Sequence, residues 1–336
     1  MRNSNIWWNF FSKYGLLVIL IFLIAIFSII LPKSFPTLFH FKTLLADQSV
    51  VILLAFAQMI PMVTDNFNLS LGYFVGLSHI LMIKFIDISS MPWGVGVLIL
   101  LGLGLLVGWF LGFCVTRLHL HSFIASLGVG TVLYGISFWV TGGTQVIGKD
   151  MPKGFLWLSS NIGFVPLSII IALIVGVILY IFFEYMPMGR YFYAIGSNSR
   201  SAELVGIPVD KIITLSFIAS SLLTVLASII LASQIRVGQV SVGPNYLLGA
   251  FTGAFLGATV IKPGRMNIPG TFIAVLLLGV TVSGLQQLGA AYFVDPLFNG
   301  AMLIVAVAFA KYTERHMISI VGETKQKLIE ENNEEE

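Results

Sequence analysis

The stretch GTQVIGKD, residues Gly143 to Asp150, has the glycine and lysine spacing of a nucleotide-binding loop. In such a loop, backbone N–H groups and the lysine hold phosphates, and a Ser or Thr directly after the lysine binds Mg²⁺. Asp150 occupies that last position, and no strand pattern precedes the stretch. We therefore predict an ordinary turn-rich loop and expect no ATP to be bound by this chain.

Histidines are the other residues whose spacing suggests chemistry. His119 and His121 are two residues apart, which would suit two metal ligands on a strand, but they flank a predicted helix start beside Arg117. Neither a cysteine nor a carboxylate accompanies them, as a metal site would require. The patterns G-x-S-x-G and H-E-x-x-H are also absent from the sequence. We predict no metal site, no cofactor and no enzymatic activity in this chain.

The composition is that of an integral membrane protein. Of the 336 residues, 57% are hydrophobic and only 10% are charged, whereas soluble domains carry about 25% charged residues. The mean hydropathy is +0.96. A net charge of +3 gives no argument for nucleic acid as a partner, and the single cysteine, Cys114, excludes a disulfide within the chain.

The apolar runs predict an all-α protein with about ten transmembrane helices, because a spanning helix needs about 20 mostly apolar residues. The predicted spans are 14–31, 44–63, 69–85, 93–115, 122–141, 162–183, 212–233, 245–261, 269–288 and 297–311. No small-residue cleavage site follows the first run, so we expect an uncleaved helix rather than a signal peptide.

Lysine and arginine predict the orientation, since loops on the cytoplasmic side carry an excess of both. With both termini in the cytoplasm, twelve of the 18 Lys and Arg residues fall on that side. We expect residues 1–13 to be a cytoplasmic segment, 14–311 the transmembrane domain, and 312–336 a cytoplasmic acidic tail without fixed structure.

Glycine recurs at every fourth position in three predicted spans, as Gly72 and Gly76, as Gly104, Gly108 and Gly112, and as Gly249, Gly253 and Gly257. This spacing places the glycines on one helix face, where small residues allow close helix packing in lipid. We predict packing faces there. The stretches that begin at Asn68 and Pro244 also resemble each other weakly, as an internal repeat would.

Polar residues within the spans are candidates for a solute path, because polar groups in a membrane face the bundle interior or a cavity. The candidates assigned to the path are Gln58, Asp65, Asn66, Asn68, Ser70, Asn245 and Asn299. Further polar residues in the spans are His79, Tyr134, Gln286 and Gln287. For each residue an ordinary hydrogen bond between helices is the alternative. No buried pair of carboxylates is evident, which argues against a proton or sodium relay.

The polar stretch AIGSNSRSAELVGI, residues Ala194 to Ile207, interrupts the apolar pattern. Asn198 or Ser199 can cap a helix start, Gly206 suits the left-handed position after a helix end, and Pro208 prevents continuation. The sequence therefore predicts a short helix over Arg200–Val205 on the cytoplasmic side. Such a helix could dock a partner protein, or it could only stabilise the loop at the membrane surface.

Four segments together resemble the ribose-type sugar permeases of ATP-binding cassette (ABC) importers. They are GRYFYAIGSNSRSAELVGI, TRLHLHSFIASLGVGTVLYGISFWVTGG, LGATVIKPGRMNIPGTFIAVLLLGVTVSGLQQLG and NLSLGYFVGL, and the resemblance spans roughly residues 44 to 310. The sequence departs from the family at Asn68, where an Asp is usual, and at Leu247 and Gly249, where two acids are lost. The resemblance thus implies a sugar or polyol as solute without specifying which one.

The resemblance also implies a ten-helix bundle of the type II importer kind and a set of partners. These are a second permease subunit, identical or not, a cytoplasmic ATPase that binds ATP and Mg²⁺, a periplasmic or extracellular sugar-binding protein, and the lipids of the bacterial inner membrane. The loop 184–211 would couple to the ATPase. The residues assigned to coupling are Gly189, Arg190, Gly196, Ser197, Asn198, Arg200, Ala202, Glu203, Gly206 and Ile207.

The alternative function is a secondary solute carrier or facilitator that uses no ATP. Such a carrier needs no cytoplasmic docking helix and is expected to contain ionisable residues within the membrane. The sequence contains a predicted docking helix and lacks such ionisable residues, so we favour the ATP-driven importer.

Overall fold

A computed structural model describes residues 4–87 and 91–308 of the chain, and the predicted tail at 312–336 lies outside them. The first half consists of α1 (Ser4–Ile30), α2 (Leu38–Met62), α3 (Ser70–Asp87), α4 (Trp93–Thr116) and α5 (Ser122–Thr141). The second half consists of α7 (Leu167–Tyr185), α8 (Pro187–Ser197), α9 (Ser199–Leu204), α10 (Val209–Ile235), α11 (Val242–Gly257), α12 (Ile268–Gln287) and α13 (Val294–Ala308).

The bundle is nearly all helical, and each of the ten predicted spans corresponds to one of these helices. Eight described helices are long and apolar enough to cross a membrane. The other two are α11, which has only 16 residues, and α13, of which Val294–Ala308 is described. The predicted spans over 245–261 and 297–311 are thus shorter helices in the described part of the chain, and a count of ten spans is approximate.

Short elements fill the connection between α5 and α7. They are β1 (Val146–Ile147), α6 (Lys153–Leu156), a 3₁₀ turn (Trp157–Ser159), β2 (Asn161–Ile162) and β3 (Val165–Pro166). β1 pairs in antiparallel fashion with β4 (Val237–Gly238), which follows α10, and β2 pairs with β3. We call this end of the bundle the outer end, and we call the opposite end, which carries α8 and α9, the inner end.

The helices form two packed groups that share α10. One apolar core lies mainly among α2, α7, α8, α10, α11 and α12, and a second lies among α3, α4, α5 and α10. The predicted glycine faces are confirmed where these helices meet. A Cβ added at Gly108 of α4 would lie 2.5 Å from the Cα atom of Ile218 in α10, so the two backbones are in direct contact.

The two segments with a weak internal resemblance also meet. The first turns of α3 and α11 pack together, since a Cβ at Gly72 would lie 2.7 Å from the Cβ of Leu247. Gly76 in turn lies against Gly243. Because Gly72, Gly76 and Gly243 carry no side-chain atoms, the backbones of the two helices approach closely. This contact joins the two packed groups next to α10.

Candidate functional site

At the inner end, α8 is held against the bundle by one side of the helix. Phe192 and Ile195 are buried, while Arg190 on the opposite side is exposed. Gly189 packs on the end of α7, where an added Cβ would lie 2.7 Å from the Cα atom of Phe183. Gly196 packs on the end of α2, where an added Cβ would collide with the carbonyl oxygen of Val63. Because neither glycine has a side chain, α8 touches the backbone of α7 at Gly189 and the backbone at the end of α2 at Gly196.

The short capped helix predicted over Arg200–Val205 is present as α9, shifted by one residue to Ser199–Leu204. The Asn198 side chain accepts a hydrogen bond from the Ser201 N–H group at 2.9 Å, which is an N-cap. Gly206 has φ = +84°, the left-handed conformation expected after a helix end. Residue types in one short stretch thus specify both ends of α9.

The outward side of α9 is exposed and partly apolar. Leu204 and Val205 are each 77% exposed, whereas Ala202 is buried against the bundle. Arg200 and Glu203 form an ion pair at 3.0 Å between two exposed side chains. Such a pair contributes little to stability in water. Among the predicted coupling residues, Gly196 and Ala202 therefore pack against the bundle. Others, such as Arg200 and Glu203, face outward.

A second loop, between α11 and α12, braces α8 from the side. The Tyr193 hydroxyl donates a hydrogen bond to the Met266 carbonyl oxygen at 2.7 Å, and the Arg265 guanidinium lies 3.6 Å from the centre of the Tyr193 ring. Burial raises the pKa of Tyr193 to about 12, although the positive charge of Arg265 acts in the opposite direction. Lys262 of the same loop forms an ion pair with Glu184 at the end of α7.

The buried Asn267 side chain fixes the conformation of this second loop. Its amide nitrogen donates to the carbonyl oxygens of Gly257, Val260 and Arg265 at 3.0–3.1 Å. Its carbonyl oxygen accepts from the Gly270 N–H group at 2.8 Å and so caps α12. The sequence analysis did not single out Asn267. The Asn-Ile-Pro start of α12 is an N-cap signal that could have revealed its position.

Several residues assigned to the solute path lie instead in the turn between α2 and α3. Asn66 donates to the carbonyl oxygen of Thr64 at 2.8 Å, and Asp65 is exposed in a left-handed conformation. Asn68 donates to Ser220 of α10 at 2.9 Å and accepts from Ser70 at 2.6 Å. In this conformation these side chains hold the turn and join it to α10.

Gln58 of α2 differs from those residues. Its side chain is completely buried, and neither of its amide atoms has a hydrogen-bond partner among the described residues. Leaving a buried polar atom unpaired costs about 1–3 kcal/mol. The Gln58 amide is thus available to form hydrogen bonds with a partner other than the described protein atoms.

His79 is also buried, but both of its ring nitrogens are occupied. Nδ1 lies 3.2 Å from the Val75 carbonyl oxygen, to which it donates, and Nε2 accepts from the Gln239 N–H group at 3.2 Å. It therefore links α3 to the segment after β4 and is not free to bind a solute.

The outer end contains a cavity of about 450 Å³ between α2, α11, α12 and α13. Ligand sites in proteins commonly occupy about 300–1,000 Å³. Of the residues assigned to the path, Asn245 and Asn299 line this cavity, and Gln286 lines it too. The remaining lining residues are His40, Thr43, Leu44, Asp47, Gln48, Val51, Ile235, Val242, Tyr246, Gly249, Leu278, Gly279, Val282, Ser283 and Asp295.

Two carboxylates, Asp47 and Asp295, line this cavity together. The sequence analysis missed this pair, so the absence of a carboxylate pair no longer argues against a relay. Asn299 donates a hydrogen bond to Asp295 one turn earlier in α13. Tyr246 lines the same cavity as both carboxylates. Asp47 is the one charged residue in the predicted span 44–63, and its presence within a membrane helix was the signal that could have revealed it.

Comparison with known proteins gives matches along most of the chain. Residues 41–307 match the family model described as branched-chain amino acid transport system / permease component. The chain is 30% identical to the ribose import permease protein RbsC of Bacillus subtilis, with 88% of this chain and 92% of that protein covered. It is 28% identical to the D-allose transport system permease protein AlsC of Escherichia coli, over 89% and 91% of the two chains.

The fructose import permease protein FruG of Bifidobacterium longum is 26% identical, over 92% of each chain. No solved structure gives a significant match to this chain.

Proposed function

The chain belongs to this family of transport permease components, and we propose that it imports a sugar or related polyol with energy from a separate ATPase. The family description names amino acids, whereas the three relatives cited above are named for ribose, allose and fructose. Their similarity covers nearly the whole chain, so we take the solute class from them. A permease of this kind is a transport protein and not an enzyme.

The observation that supports ATP coupling most directly is the shape of the inner end. α9 presents Leu204 and Val205 to solvent, at 77% exposure each, on a loop whose other face is packed against the bundle. Large exposed apolar side chains in a defined loop are typical of a contact with another protein. We propose that α8 and α9 dock on the ATPase and that Gly189, Gly196 and Ala202 transmit its movement.

The contacts of α8 support a specific route for that movement. Gly196 touches the end of α2, and Tyr193 touches the loop between α11 and α12. The helices α2, α11 and α12 are also walls of the outer cavity. Twelve residues of α-helix, the separation of Val51 from Val63, span about 18 Å. A shift of α8 would therefore act on the cavity walls through continuous helices.

We propose that the solute enters the outer cavity and meets Gln58 farther along α2. Val51 lines the cavity, and residues 51, 55 and 58 share one helix face. A Cβ added at Gly249 of α11 would lie 3.5 Å from Cγ1 of Val51, and a Cβ added at Gly253 would lie 3.5 Å from the Cβ of Ala55. The contact between α2 and α11 would then separate to let the solute reach the unpaired amide of Gln58.

The proposed orientation places both termini and the inner end in the cytoplasm, as the distribution of Lys and Arg predicts. A solute-binding protein would then deliver the sugar at the outer end. The full transporter would contain two permease subunits, alike or different, in a bacterial plasma membrane.

The test of coupling is the substitution Leu204→Asp. It places a charge in the proposed docking surface without removing a core contact, so we expect loss of co-purification with the ATPase and loss of uptake of radiolabelled ribose, allose or fructose. Ile147→Asp is the control, because Ile147 is 55% exposed at the outer end. Retention of the ATPase by Leu204→Asp at the level of the control would overturn the docking proposal.

A further inference from the structure

We propose that Asp47 and Asp295 make the outer cavity selective for solutes that carry no negative charge, and that both carboxylates accept hydrogen bonds from solute hydroxyl groups. This inference rests on the proposed function for the identity of the solute. The charge selectivity itself depends only on the cavity and can be tested without knowing which sugar is carried.

The carboxylates are available to a ligand. Asp47 makes no hydrogen bond or ion pair with another described residue, although it lines the cavity. Asp295 accepts one hydrogen bond, from Asn299, and an ionised carboxylate has about four acceptor positions in all. A carboxylate at neutral pH only accepts, so a ligand that binds here must supply donors.

No lysine or arginine lines this cavity in the described part of the chain. Lys33 lines an adjoining shallow depression, which shares His40 and Thr43 with the cavity. The Lys42 ammonium group points elsewhere, to the carbonyl oxygen of Gly163 at 3.3 Å. Neither carboxylate is therefore paired with a lysine or arginine of the cavity wall, and their field attracts cations and repels anions.

The other polar groups of the cavity suit a hydroxyl-rich molecule. Asn245, Gln48 and Gln286 carry amides, which both donate and accept, and Tyr246 adds an aromatic ring and a hydroxyl group. Sugar hydroxyls also donate and accept, so they can match the amides and the carboxylates together. A phosphorylated or acidic sugar would instead place its charge near two carboxylates without a compensating cation.

Charged thiol reagents can test this selectivity in the intact permease. Cys114 is the only cysteine, so Cys114→Ala provides a background in which Ser283→Cys places one thiol in the cavity wall. We expect a cationic methanethiosulfonate to label this thiol at least about tenfold faster than an anionic one, relative to the same ratio at Gln145→Cys. Gln145 is exposed in the outer loop and provides the baseline.

Asp47→Asn and Asp295→Asn, singly and together, should then lower the ratio stepwise toward that baseline. Asp47→Asn alone is informative even if the double variant is unstable, because Asp47 makes no hydrogen bond to lose. Three outcomes would each overturn the inference. They are a ratio at the baseline in the parent, a ratio unchanged by both substitutions, and a thiol that reacts with neither reagent. If charge preference persists but ribose, allose and fructose are not taken up, the proposed function fails and the cavity inference stands.

Discussion

At the inner end of the bundle, polar side chains form hydrogen bonds with other parts of the protein, whereas at the outer end they face a cavity. Asn198, Tyr193 and Asn267 all have partners at 3.1 Å or less. Asp47 and Asn245 instead line an open volume of about 450 Å³. Satisfied polar networks rigidify a structure, and polar groups without protein partners are available to a ligand. The hydrogen bonds of the inner end hold its shape, and we propose that the outer end binds the solute.

The same helices connect the two ends, so a displacement at one end can reach the other. α2, α11 and α12 wall the cavity, and α8 rests on the end of α2 and on the α11–α12 loop. A rigid inner end can transmit a displacement without absorbing it. Substitutions at the inner end should therefore disturb coupling or stability, and those farther along α2 should disturb solute transfer.

The largest effect is expected from Gly196→Ala, because the new Cβ would collide with the Val63 carbonyl oxygen and push α8 from α2. We expect uptake of radiolabelled ribose, allose or fructose to fall more than about tenfold, which corresponds to 1.4 kcal/mol. Gly128→Ala is the matched control, since a Cβ there meets no atom within 4 Å. Equal uptake in the two variants would show that the contact with α2 is not needed for coupling.

An effect on stability rather than on coupling is expected from Asn267→Ala, which removes the side chain that fixes the α11–α12 loop. The carbonyl oxygens of Gly257, Val260 and Arg265 and the Gly270 N–H group would each lose one hydrogen bond. We expect a loss of about 2–4 kcal/mol in unfolding free energy, given the cost of unpaired buried groups and of a lost N-cap. It is measured as a lower thermal unfolding midpoint in detergent.

The control for that substitution is Asn161→Ala in β2, where the residue is exposed. If Asn267→Ala unfolded at the same temperature as this control, the inner end would not depend on its buried hydrogen bonds, and the contrast between the two ends would be lost.

The smallest effect on stability is expected from Gln58→Leu, which lies between the two ends. The substitution removes two buried polar atoms that have no described partner, so we expect unfolding free energy to rise by roughly 1 kcal/mol. Uptake should nevertheless fall, because the solute would lose the amide. Met59→Leu is the control for volume at a neighbouring buried position. Unchanged uptake in Gln58→Leu would remove this residue from the proposed path.

Much of the inner end was predictable from the sequence because its signals are local. Asn198, Gly206 and Pro208 act within one or two turns of α9, so residue types alone gave its position to within one residue. The helical spans were predictable for the same kind of reason, since hydropathy over about 20 residues decides whether a segment can lie in lipid. The pairing of β1 with β4, by contrast, joins segments on either side of α7 and α10 and had no local signal.

The path residues show where sequence reasoning reached its limit. Gln58, Asn68 and Asn245 were equivalent as polar residues in apolar spans. In the structure Asn68 bonds to Ser220, 152 residues away, Asn245 lines the cavity, and Gln58 is buried without a described partner. Their different roles depend on which neighbours the other helices bring.

The resemblance of four segments to a known family implied a permease. The sequence by itself further determined that this is an integral membrane protein, where its helices lie, and that a capped helix interrupts them. These properties follow from hydropathy and capping, which act along the chain. Only the tertiary structure decided that Asp47 and Asp295 share a cavity and that α8 rests on the end of α2 and the α11–α12 loop. Those neighbours come from distant parts of the chain, and they meet because glycine contacts and apolar packing fix how the helices assemble.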